Sequence, residues 1–147
     1  MHTTLLVLHL IGVAAWLGGN LTLAFAGSMS AGADPAARRW WAVTQGSMAR
    51  IYFSLAATLV LITGVALVLD EEGVEFSDTF VSIGFLAVIV GLVLGIFVFG
   101  PGTRKIVSAI DDGDAEAERA GNNRLAVNGI VSSLVLVVTI VAMVAGW

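Results

Sequence analysis

The sequence predicts an all-α integral membrane protein, a four-helix bundle with both termini on the outer face. Three observations predict it. The 147-residue chain is 58% hydrophobic and only 12% charged, roughly half the charged share of a soluble domain, and its mean hydropathy is +0.96. The charges gather in three short segments separated by long apolar runs, and a bilayer core takes about 20 apolar residues per helix. Finally, all seven Lys and Arg residues lie in or at the edge of two of those segments.

The first span covers residues 3–26. No base precedes it, and its apolar run exceeds the core of a secretory leader, so it reads as a span and not as a cleaved signal. Segment 28–49 carries Arg38 and Arg39, and Arg50 opens the second span, 50–69. Asp34-Pro35 reads as an N-cap followed by proline at the first helical position. A helix is therefore expected to start at Pro35 and run on into the second span. Trp40 and Trp41 would then sit at the membrane interface, where indoles are favoured.

Segment 70–79 holds Asp70, Glu71, Glu72, Glu75 and Asp78 and no base. The third span, 80–99, is expected to close at Gly100-Pro101-Gly102. Segment 100–124 carries Arg104, Lys105, Arg119 and Arg124. A short surface helix is expected over 103–120, with Ile106, Val107 and Ile110 on its apolar side. Asp111, Asp112 and Asp114 read as a solvated turn, because the calcium-loop pattern is missing. The fourth span is 125–147. The positive-inside rule places the two basic connections in the cytoplasm.

The absence of cysteine removes disulfides and thiolate metal sites. A net charge of −4 and a single lysine argue against nucleic-acid binding. No Ser/His/Asp set, Walker loop or dinucleotide fingerprint is present, and no catalytic residue is assigned. The spans are rich in small residues: Gly12, Ala15, Gly18 and Gly19 in the first, Gly84, Gly91 and Gly95 in the third, Gly129 and Ser133 in the fourth. Small residues let helix backbones approach closely. The same residues suit a slot for a flat ligand or the face of a homodimer.

His9 is the candidate for chemistry. Ionisable groups at membrane depth are rare and commonly functional. His2, His9 and Trp16 are spaced seven apart, a step that drifts only about 20° around a helix, so they share a face with Asn20 nearby. One reading of His9 is a neutral imidazole bonded to a neighbouring helix; the other is a metal ligand. Copper prefers clustered imidazole and soft donors, and the chain offers two histidines and the scattered methionines Met1, Met29, Met48 and Met143. Haem needs one strong axial ligand. His2 and His9 cannot share one iron from a straight helix: they are about 10.5 Å apart along its axis, and two imidazoles on one metal need about 4 Å. Met143, near the outer end of the fourth span, matches His9 in depth. An iron left open on one side binds oxygen or nitric oxide.

The run His9-Leu10-Ile11-Gly12-Val13-Ala14-Ala15-Trp16-Leu17-Gly18-Gly19 resembles the first helix of the CopD-like membrane proteins, and is distantly similar to that of the HemJ-type protoporphyrinogen oxidases. Thr63-Gly64, and a third span ending at a proline followed by bases, look similar too. The resemblance implies a multi-pass protein of a prokaryotic cell membrane. It implies a haem b with His9 as axial ligand, acting as an oxidoreductase or on a small gas or redox substrate; Gly12 and Trp16 of the same run, Asn20 near the same face and Met143 at the same depth are the residues expected around the cofactor. The CopD-like side implies copper handling as the alternative, and a non-catalytic membrane scaffold is the third. The lysine that the HemJ-type family keeps within its helices has no counterpart, since Lys105 is the only lysine. Asn20-Leu21 stands where that family has a base after the glycine, so protoporphyrinogen oxidation is not carried over.

Overall fold

The computed structural model describes residues 1–146. Four helices run up and down in sequence: α1 (His2–Ser30), α2 (Pro35–Asp70), α3 (Thr79–Asp111) and α4 (Ala115–Ala145), each long and apolar enough to cross a membrane. No strand occurs among the described residues. Each helix packs on the next and α1 closes on α4, so the acidic turn between α2 and α3 shares one end of the bundle with residue 1 and with the end of α4. The basic segments occupy the other end. The end of the fourth span at Trp147 lies outside the described residues.

Local chemistry explains the helix ends. Asp34 caps α2, its carboxylate accepting the Ala37 N–H at 2.9 Å, with Pro35 just inside. The expected helix through Trp40 and Trp41 into the second span is therefore present. At the turn between α3 and α4, Gly113 takes a left-handed φ of 71°, a conformation glycine adopts without steric cost. Asp114 next to it caps α4 by accepting the Glu116 and Ala117 N–H groups.

The helices outrun the expected spans. α3 does not close at Gly100-Pro101-Gly102. It passes through Pro101 and ends at Asp111. A proline inside an α-helix clashes with the carbonyl four residues earlier. Here a π-helical turn at Leu94–Phe99 precedes it, with the Gly100 N–H reaching back five residues to the Gly95 carbonyl. The widened turn absorbs the proline. A matching π-turn at Met48–Tyr52 interrupts α2. The surface helix expected over 103–120 is thus the tail of α3 and, after the turn, the head of α4. Ile106, placed on its apolar side, is 1% exposed and packs with Ala42 and Leu125.

The apolar exterior carries Leu10, Ile11, Leu21, Phe25, Ile62, Leu86 and Ile130, all exposed as a lipid-facing surface requires. Inside, Trp16, Ala56, Ala57, Val88 and Leu136 form the core at mid-depth. Lipid tails are as apolar as these side chains, so close packing and polar cross-links hold the helices. Gly19 gives one such approach, since a Cβ there would lie 2.6 Å from Tyr52. The Tyr52 hydroxyl donates to the Ala15 carbonyl at 2.8 Å. At the basic end Arg38 pairs with Glu118 at 2.8 Å and Arg39 with Asp111 at 2.7 Å. The expected aspartate turn is thus made of Asp112 to Asp114, and Asp111 instead ties α3 to α2. Among the described residues no group of three or more acidic, His or Cys side chains could hold a metal ion.

Candidate functional site

Between the four helices, toward the acidic end, lies a pocket of about 370 Å³, in the size range of small-molecule sites. Each helix contributes a strip of side chains. α1 supplies Leu6, His9, Val13 and Trp16, which at 1.5 Å per residue span about 15 Å of depth. Trp16, Val60, Val88 and Leu136 line its inner end, and Glu71, Val74 and Phe80 line the end near the acidic turn. The lining is apolar apart from His9, Thr139 and Glu71.

His9 is 7% exposed. Its Nδ1 lies 3.0 Å from the Thr63 Oγ1 on α2. Thr63 Oγ1 is itself 2.6 Å from the Leu59 carbonyl, which can only accept. The single hydroxyl proton therefore goes to Leu59, and Thr63 accepts from the His9 Nδ1–H. That fixes the tautomer: Nε2 keeps its lone pair. Nε2 has no protein partner and is not sealed, since among the described residues Trp41 Nε1 is the one buried side-chain N or O without a partner. A nitrogen oriented through its ring partner, with a free lone pair on a pocket, has the arrangement of a metal-ligating histidine. One nitrogen is thus bonded to a neighbouring helix, as the first reading of His9 expects, and among the described residues the other has no hydrogen-bond partner.

Three glycines make room for three of the side chains that line the site. A Cβ at Gly64 would lie 3.2 Å from His9 Cε1, one at Gly84 2.6 Å from Met143 Cε, and one at Gly91 would strike the Trp16 ring at Cζ2. Each absence of a side chain admits a residue that lines the pocket. The slot expected from the glycines is therefore filled in part by the protein's own side chains.

Of the residues expected around a cofactor, His9, Trp16 and Met143 come together on this pocket. Gly12 and Asn20 do not. Gly12 faces α2, where a Cβ would lie 2.8 Å from Val60 Cγ2. Asn20 sits below the Trp16 layer and donates to Ser132 Oγ at 3.1 Å, a cross-link from α1 to α4. Asn128 bonds back to the Arg124 carbonyl, and Arg50 lines a separate cavity. The sequence marked Thr63-Gly64 only through the resemblance and Gly84 only among the small residues, and did not mark Glu71, which also lines the pocket.

No protein-family model, curated protein or solved structure matches this chain.

Proposed function

We propose that the chain is a haem-b-binding membrane protein, with His9 Nε2 as axial ligand and the interhelical pocket as the cofactor site. The observation that carries this reading is the His9–Thr63 contact, which leaves a ligating lone pair at an apolar slot about 15 Å deep. Apolar walls suit a macrocycle, and Met143 adds a thioether to the same lining. The fit is incomplete at the propionates. No base lines the pocket, and Glu71 stands at its acidic end, so solvent at that end, and not an arginine, is left to neutralise them. A haem held this way would supply one-electron or gas-binding chemistry, and the chain's part is to hold the ligand's tautomer and exclude water.

The resemblance to CopD-like and HemJ-type helices at His9 to Gly19 and Thr63-Gly64 supports the same site. The distribution of its bases favours both termini outside, and the resemblance implies a prokaryotic plasma membrane. A homodimer is part of the proposal, because Gly18, Gly95 and Gly129 have open space where a Cβ would stand. The test is the metal and haem content of the purified protein after haem supplementation. One haem iron per chain supports the reading. Copper without iron would replace it with copper handling, and neither metal would leave a scaffold.

A further inference from the structure

A second cavity, of about 220 Å³, lies between α2 and α3 at the basic end of the bundle. Its floor is made of small groups, Ala42, Gly46, Gly100 and Thr103, and its charged walls are Arg50 and Arg104. The backbones are close here: a Cβ at Gly46 would lie 2.8 Å from Thr103 Oγ1. No carboxylate lines the cavity. Arg38 and Arg39 are already taken by Glu118 and Asp111. Among the described residues neither Arg50 nor Arg104 has an acidic partner; Arg50 Nε donates only to the Gly46 carbonyl, at 3.3 Å.

The depth of the cavity points to its occupant. Arg50 sits where the apolar run 51–69 begins, and Arg104 follows the end of the run 80–99. Both guanidinium groups therefore lie at headgroup level. The two π-turns, Met48–Tyr52 and Leu94–Phe99, pack on one another beside the cavity. Such turns recur at functional sites because they re-aim the side chains that follow. Ile51, Ile96 and Phe97 of these turns are exposed, an apolar surface for acyl chains next to a charged recess. Guanidinium groups bind phosphate oxygens in fork geometry, and basic pockets between membrane helices hold anionic headgroups.

We propose that Arg50 and Arg104 bind the phosphate headgroup of an anionic phospholipid in the cavity between α2 and α3. The proposal does not depend on the cofactor reading. It is tested by native mass spectrometry of the protein released from nanodiscs of mixed phosphatidylglycerol and phosphatidylcholine. Wild type retains phosphatidylglycerol preferentially. Arg50→Gln with Arg104→Gln lowers that retention roughly thirty-fold, about tenfold or less per basic group at the surface. Arg50→Lys with Arg104→Lys restores most of it, and Lys105→Gln with Arg119→Gln, outside the cavity, leaves it unchanged. Equal retention in the double glutamine variant, or no preference for phosphatidylglycerol in wild type, would overturn the proposal. Displacement of the lipid by millimolar inorganic phosphate would also overturn it, because the site would then be one for a free anion.

Discussion

The Thr63 hydroxyl accepts the His9 Nδ1–H across 3.0 Å and donates its own O–H to the Leu59 carbonyl at 2.6 Å. One threonine thereby decides which imidazole nitrogen carries the proton. Replacing Thr63 with Val keeps the volume and removes the acceptor. Haem affinity is expected to fall about 10- to 100-fold, the usual effect of losing a ligand's orienting partner. Thr63→Ser retains the hydroxyl and stays near wild type. Haem titration followed at the Soret band reads both, and an unchanged affinity in Thr63→Val would remove the orienting role.

Gly91 and Gly95 lie one helical turn apart and behave oppositely. A Cβ at Gly91 would strike the Trp16 ring, whereas one at Gly95 meets nothing. Gly91→Ala is expected to destabilise by about 1–3 kcal/mol through overpacking. Gly95→Ala is expected to be neutral or to stabilise by up to about 1 kcal/mol through helix propensity. Thermal unfolding in detergent distinguishes them, and equal melting temperatures would contradict the packing assigned to Trp16. If the Gly95 face is instead covered by a second copy in a homodimer, Gly95→Ala shifts the mass in mild detergent from dimer toward monomer.

The four spans were legible because apolar run length and charge placement are local properties of the chain. Asp34-Pro35 was legible for the same reason: a cap and a first-turn proline are neighbours in sequence. His9 and Trp16 were found as a seven-residue repeat on one helix face. What the sequence hid was which residue of another helix meets them. Gly64, Gly84 and Gly91 read as generic packing glycines until each is seen opposite His9, Met143 or Trp16. Gly12 and Asn20 lie off this pocket because angular proximity on α1 says nothing of depth or of the facing helix. The passage of α3 through Pro101 was hidden too, since proline is a stop signal unless a π-turn precedes it, and that turn has no sequence mark here.

Among the described residues, Glu71 is the single charged side chain lining the pocket. Its carboxylate repels any anionic group held there. Glu71→Gln is expected to tighten haem binding a few-fold, the scale of a unit-charge repulsion of about 1 kcal/mol in water-like surroundings. Equilibrium titration in low-salt detergent measures it. Weaker binding in Glu71→Gln would mean that the carboxylate supports the site.

The Arg39–Asp111 pair gives a pH signature at the basic end. The hydrogen bond from Arg39 holds the Asp111 carboxyl below the usual aspartate range. A depressed folded-state pKa contributes stability that is present above the unfolded-state value and is lost as pH falls through the folded one. The melting temperature of wild type should therefore exceed that of Arg39→Ala near neutral pH, and the gap should close in acid. Both side chains are about half exposed, so the gap is small and shrinks with added salt. A gap that persists at pH 2 would contradict the assignment to Asp111 ionisation.

The account rests most heavily on His9 Nε2 as a ligand, and the visible spectrum of His9→Ala against wild type tests that most directly. Both proteins are purified in detergent, supplemented with haem, stripped of excess and reduced with dithionite. The account predicts a stoichiometric Soret band with resolved α and β bands in wild type, and loss of that spectrum in a His9→Ala protein that still elutes as a folded species. Full haem retention with an unchanged reduced spectrum in folded His9→Ala would contradict it.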